Sequence, residues 1–246
     1  MIRKMLVLCV IAILVLAGGC TMNKHKQKPV SVLVVTGGHA FNKQSFVGMF
    51  DEMLGAQWRL FELKDDSEVF EDISNWDYDV IVFYNMTQNI SAKRRANFLT
   101  LLDRGVGVVA LHHSMANFSD WPEYKKTIGV KYYLAKTQED GKVWPRSTYQ
   151  ENVQIPVHIT DTHHPITAGL HDFTILDEAY KGFSLEPDNH LLLTTDQPAS
   201  QKEIGWTRLY RKSRICTIQL GHGSEAYNHP AYSKLLHQAI QWAAGR

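Results

Sequence analysis

Residues 106–114 read VGVVALHHS. An apolar run without alternating polar residues stops at two adjacent histidines. Such a run predicts a strand buried on both faces, the kind found in parallel sheets covered by helices on either side. The pattern recurs upstream. VSVLVV at 30–35 stops at the glycine loop TGG, WRLFEL at 58–63 alternates, and YDVIVFY at 78–84 is apolar nearly throughout. Between these runs, Phe46, Val47, Met49, Phe50, Met53 and Leu54 recur at helical spacing. Ser91 can cap a helix carrying Phe98, Leu99 and Leu102, which Gly105 ends. Strand and helix alternate four times, so the expected fold is α/β, a parallel sheet with helices on both faces.

The alternation breaks after His113. Residues 121–169 are rich in Trp, Tyr, Lys and Pro and lack a helical period, so they read as an inserted irregular segment over the open end of the sheet. Within it, VQIPVHI at 153–159 predicts an irregular or edge strand because of Pro156. Residues 191–194, 204–210 and 214–220 read as later strands, and 232–243 as a closing helix with Leu235, Leu236, Ala239, Ile240 and Ala243 on one face.

The 246 residues are 44% hydrophobic and 21% charged, with formal net charge +1. No basic block points to nucleic acid, and none is expected as a partner. The N-terminus is more specific. A short basic region precedes an apolar stretch at 5–17, too short to span a membrane comfortably, then Ala17-Gly18-Gly19 and Cys20. This resembles a bacterial lipoprotein signal. It divides the chain into a signal peptide at 1–19, a polar tether at 20–29 with Cys20 lipidated, and one domain at 30–246. The expected location is the cell envelope, outside the cytoplasm and anchored to a membrane by lipid. Thr21 after Cys20 points to the outer membrane if the envelope is Gram-negative. With Cys9 and Cys20 so assigned, Cys216 is the remaining thiol of three cysteines, and its strand-like surroundings make it a small buried hydrophobe.

In open parallel sheets, ligands bind outside the carboxyl ends of the strands. Three loops bring histidine to that edge: His39 after the first strand, His112 and His113 after the fourth, and His222 after the last. The Asp161-Thr-His-His-Pro165 cluster reads instead as a turn. In LDEAYK at 176–181, an extended backbone puts Glu178 and Tyr180 on one face and Asp177 on the other. A carboxylate beside a phenol suits sugar hydroxyls or acid/base work. Trp121 offers an aromatic wall for a sugar ring, or else a helix start with Pro122 at its first position. The glycine loop at 36–41 has neither dinucleotide nor P-loop spacing.

Eight stretches in order, GGHAF (37–41), SFVGMFD (45–51), ALHHS (110–114), WPEY (121–124), DTHHPIT (161–167), DEAYKGF (177–183), IGWTRLYRKSRI (204–215) and LGHGSEAYNHP (220–230), together resemble the ThuA-like, trehalose-utilisation family. The resemblance implies a flavodoxin-like, class I glutamine-amidotransferase-like fold. It also implies a role in catabolism of trehalose or related disaccharides, with 3-keto sugars and an oxidoreductase of the same pathway as associates. By the amidotransferase comparison, His112 stands where that superfamily has its nucleophilic cysteine, and His222 with Glu225 stands on the late-strand loop. No cysteine lies near, so glutamine hydrolysis is not expected.

Two functional readings follow. In the first, the protein is a sugar-processing hydrolase, lyase or isomerase. His113, His222 and Glu178 are its acid/base groups, and His39, Trp121, Tyr180 and Glu225 bind substrate. A zinc-like divalent ion on His39, His112, His113 and His222 would be its cofactor. In the second, it is a membrane-tethered sugar binder without catalysis. One of the two adjacent histidines is expected to face the cleft while the other braces the turn, His113 facing it by the family motif and His112 by the amidotransferase comparison.

Overall fold

A computed structural model describes residues 28–246 apart from Leu54 and Asp65. The expected signal peptide, the lipidation expected at Cys20 and the expected tether as far as residue 27 lie outside the described residues. Among those described, no helix is long and apolar enough to cross a membrane.

Nine strands form the main sheet: β1 (Val30–Gly37), β2 (Ala56–Glu62), β3 (Val80–Asn85), β4 (Gly107–Leu111), β5 (Thr148–Ile159), β6 (Phe173–Lys181), β7 (His190–Thr194), β8 (Glu203–Tyr210) and β9 (Ser213–Ile218). Their order is β2-β1-β3-β4-β9-β8-β7-β5-β6. Helices are α1 (Lys43–Asp51), α2 (Ala92–Asp103), α3 (Pro122–Ile128), α4 (Ser224–Tyr227) and α5 (Pro230–Ala243).

The strand pleat divides the core in two. In β1 and β3, Val32, Val34, Val80, Val82 and Tyr84 join the cluster beneath α1, α4 and α5. Their neighbours Leu33, Val35, Ile81 and Phe83 join the cluster beneath α2 and α3. Alternation of apolar residues to both faces is why these strands read as unbroken hydrophobic runs. Ser91 caps α2 as expected, its hydroxyl accepting the Arg94 N–H. Gly107 lets α5 lie against β4, since a Cβ there would stand 2.4 Å from the Ala243 carbonyl oxygen. Cys216 is fully buried in the first cluster, and burial pushes its thiol pKa up.

The sheet is not parallel throughout. β2, β1, β3, β4 and β9 pair in parallel, but β8, β7, β5 and β6 pair antiparallel. The change occurs where β8 turns into β9 through Arg211 and Lys212, a connection too short for a parallel return. In the inserted segment the helix-start reading of Pro122 and the irregular reading of the 153–159 strand hold, and its edge reading is corrected. Pro122 opens helix α3, closed by Gly129 in the left-handed region. The strand over 153–159 begins at Thr148 and is not the edge, a place taken by β6. Pro156 is tolerated because β7 meets β5 only at His158 and Ile159.

Beyond that short contact, the β5–β6 ribbon runs free of β7. Five strand spacings separate β4 from β6 in the order, roughly 24 Å in a flat sheet. Yet Glu178 of β6 lies 2.9 Å from His112 at the end of β4. The ribbon therefore curls back over the carboxyl ends of the parallel strands.

Candidate functional site

At the end of β4 the backbone turns into a 3₁₀ turn, His112–Ala116, through a left-handed His112 with φ of +42°. For a residue with a Cβ this costs about 1–2 kcal/mol. The turn aims His112 and His113 at the same space, with ring centroids 4.5 Å apart. His113 lines the cavity and His112 does not, being tied to the Gln219 carbonyl, so one imidazole faces the cleft and the other braces the turn as expected, although the two rings meet at its floor.

His112 is fully buried and held at both nitrogens. Its Nδ1 lies 2.5 Å from the Gln219 carbonyl oxygen, which can only accept, so Nδ1 carries a proton. Its Nε2 faces Glu178 Oε2 at 2.9 Å, the Tyr180 hydroxyl at 2.8 Å and His222 Nδ1 at 3.2 Å. His113 is 3% exposed, and neither of its nitrogens has a hydrogen-bond partner among the described residues. Burial and the neighbouring imidazoles hold its pKa far below the ordinary histidine value.

Glu178 and Tyr180 share a face of β6, as their spacing predicts, and both line the cavity. Burial pushes the Glu178 carboxyl up, but hydrogen bonds with His112 and His222 outweigh it and keep the group ionised. The same bond to Glu178 raises the His222 pKa. Burial pushes the Tyr180 phenol well above its usual range. One donor atom from each of His112, His113, Glu178 and His222 lies within 4.8 Å of the others.

On the opposite face of β6, Asp177 does work that its sequence context did not disclose. It accepts the backbone N–H of Gly221 at 2.6 Å, of His222 at 2.8 Å and of Glu178 at 2.9 Å. Burial pushes its carboxyl up against those three donors. The carbonyls of the same dipeptide are held too. Tyr84 donates to the oxygens of Gly221 and His222, and Tyr227 donates to that of His222. Gly221, at φ of +112°, leaves no room for a side chain, as a Cβ would meet the Tyr232 hydroxyl at 2.1 Å. The His222 backbone is thus fixed on every polar side.

A cavity of about 320 Å³ opens above this floor. His39 is exposed at its mouth and stacks on His113 at 3.7 Å, outside the cluster of four donor residues. Met86, Tyr132, Leu134, Arg146, Tyr149 and Glu151 form its walls. Burial and the nearby Glu178 charge push the Tyr132 phenol up to about 12. Met86, Tyr132, Leu134, Arg146 and Glu151 were not singled out from sequence, because they come from the end of β3, the segment after α3 and the start of the folded-back ribbon, none of which carries a local motif.

Two expected substrate residues are not in the cavity. Trp121 is buried in the core under α2 and α3, against Phe98, Phe118 and Tyr124, and serves as the helix start that was the other reading of its context. Glu225 stands exposed in the first turn of α4, because the chain turns helical directly after Gly223. The carboxylate of the site comes from β6 instead. The Asp161 turn is as expected, its carboxylate accepting the N–H groups of His163 and His164.

The ThuA family, described as trehalose utilisation, matches residues 31–243. No curated protein matches the chain. Among solved structures, a protein described as ThuA-like from Parabacteroides merdae ATCC 43184 is 21% identical with a TM-score of 0.74, over 88% of this chain and 90% of that one. Another described as ThuA-like, from Bacteroides uniformis ATCC 8492, is 21% identical with a TM-score of 0.66, over 92% and 95%. A cytoplasmic protein from Salmonella typhimurium is 13% identical with a TM-score of 0.57, over 86% and 98%. At these identities the likeness is one of fold.

Proposed function

The chain belongs to the ThuA family of trehalose utilisation, and we propose that it is an enzyme acting on a disaccharide or its 3-keto derivative at a divalent-cation centre. His112, His113, Glu178 and His222 would hold the ion. The observation that carries this reading is the orphaned His113. Because His112 donates through Nδ1, its Nε2 lone pair, 2.9 Å from the Glu178 carboxylate and 2.8 Å from the Tyr180 hydroxyl, is available to a cation. A proton on Nε2 would satisfy that pair but would leave both buried His113 nitrogens without a partner. A cation would use one of them. Three imidazoles and one carboxylate suit a zinc-like ion better than magnesium or calcium.

Such an ion supplies a Lewis acid that draws electron density from a carbonyl or hydroxyl oxygen of the sugar. The Gln219 carbonyl fixes the His112 tautomer, and Asp177 with Tyr84 and Tyr227 fixes the position of His222. Tyr132 keeps its phenolic proton and offers an O–H donor to sugar oxygens, while the Tyr180 hydroxyl stands against His112 Nε2 beside Glu178. Met86, Ala116 and Leu134 narrow the cavity and limit water. A binding protein without chemistry would need hydroxyl-matching groups but no buried imidazole cluster. The pattern of residues 1–20 supports a lipid-anchored domain outside the cytoplasm, and the family resemblance supports an oxidoreductase of the same pathway as its associate.

The test is metal analysis of the full chain with turnover of a 3-keto disaccharide. About one equivalent of Zn²⁺ or Mn²⁺ is expected, lost in His113→Leu together with turnover. No metal uptake, or turnover indifferent to both chelator and substitution, would overturn the reading.

A further inference from the structure

Along β5 the core residues are Val153, Ile155 and Val157. In an unbroken strand Tyr149 would share their face. It does not, because the ladder slips. Gln150 pairs with Ala179 and Val153 with Asp177, so Glu151 and Asn152 together stand opposite Glu178 alone. Asn152 takes the left-handed conformation, φ +56°, that accommodates the extra residue. This bulge, placed at the site carboxylate, turns Tyr149 and Glu151 from the core side to the cavity side.

Tyr149 is 57% exposed, one of three large hydrophobic residues so exposed among those described, and the one of the three that lines this cavity. Two charged neighbours stand with it. Arg146 is close enough for its charge to act on Tyr132, and Glu151 close enough to act on His222. Neither makes a hydrogen bond or ion pair among the described residues, with each other or with anything else. An anionic ligand would satisfy Arg146 and be opposed by Glu151, and a cation the reverse. A neutral polyol satisfies both, as adjacent hydroxyls can accept from the guanidinium and donate to the carboxylate.

We infer that Tyr149, Arg146 and Glu151 form a subsite for the second ring of a disaccharide, a neutral pyranose whose C–H face lies on Tyr149. The inference rests on the carbohydrate reading above and extends it. The reacting ring would occupy the floor over Glu178 and Tyr180, and the second ring would occupy the mouth.

The test is equilibrium binding of trehalose and of glucose to the full chain and to Tyr149→Ala and Tyr149→Phe, with zinc uptake measured on each. Wild type is expected to bind trehalose about tenfold or more tighter than glucose, a gap worth one aromatic stacking contact. Tyr149→Ala should erase that gap while leaving glucose affinity unchanged, and Tyr149→Phe should restore it. Equal loss for both sugars, no loss for either, no binding of either by wild type, or preference for an acidic disaccharide would each overturn the subsite. Zinc uptake separates the two proposals. Uptake with an indifferent Tyr149→Ala sinks the subsite alone, and the expected sugar result without uptake sinks the cation centre alone.

Discussion

Asp177 Oδ1 accepts the backbone N–H of His222 at 2.8 Å, so the residue beside Glu178 in β6 carries the loop on which His222 stands. One strand thus supplies a carboxylate to each side, one toward the cavity and one toward the backbone that presents the opposing imidazole.

Asp177→Asn should separate these roles. An amide keeps one acceptor oxygen but turns an N–H group toward backbone donors that need acceptance. Folding stability should fall by about 1–3 kcal/mol, the cost of leaving a buried donor unsatisfied. Zinc affinity should fall about 10- to 100-fold although Asp177 is no ligand, as for groups that orient metal-binding histidines. Denaturant titration and zinc titration measure the two effects. Unchanged zinc affinity in a destabilised variant would show that Asp177 only braces the fold.

Trp121→Ala should cost about 3–5 kcal/mol of stability, since it empties a packed core position. Trp121→Phe should fold and bind both zinc and trehalose as wild type does. A sugar defect in the folded Phe variant would return Trp121 to the cavity.

His158 of β5 and Asp172, just before β6, tie the base of the curled ribbon at 2.9 Å. The hydrogen bond to Asp172 raises the His158 pKa above 6.5. The Ile159 N–H, then His158, hold Asp172 below 3.8. The His158 contribution is complete below pH 6.5 and is lost as pH rises through its raised value. That of Asp172 is present above pH 3.8 and is lost on acidification through its lowered value. The tie is therefore strongest between these limits. His158→Gln should lower the melting temperature more at about pH 5.5 than at about pH 8.5. Because the pair is exposed, the difference should be small and should shrink in high salt. A melting difference that does not vary with pH would contradict it.

The parallel half of the sheet was legible because its signals are local. The run at 30–35 lies within Val30–Gly37, Ser91 caps α2 as its position predicts, and the apolar face of 232–243 packs on the sheet. The shared face of Glu178 and Tyr180 was legible for the same reason, being a two-residue period. Periodicity reports which face a side chain takes, not which distant strand end lies across from it. The curl of β5 and β6, the left-handed turn at His112 and the grip of Asp177 on residue 221 all depend on partners far along the chain. Trp121 was ambiguous because a tryptophan before a proline reads alike at a helix start and at a sugar platform. The packing against Phe98 resolves it.

The curled ribbon also has a consequence for the order in which the protein comes into being. His112 meets a carboxylate 66 residues further on and an imidazole 110 residues further on. A nascent chain that has completed β1 to β4 holds the two adjacent imidazoles and His39, but neither Glu178 nor His222. The remaining groups are delivered only after the antiparallel half has been made and has closed over the strand ends. Capture of the proposed ion by all four residues would therefore mark a finished molecule, and its appearance during refolding would time the last long-range step of assembly rather than the first.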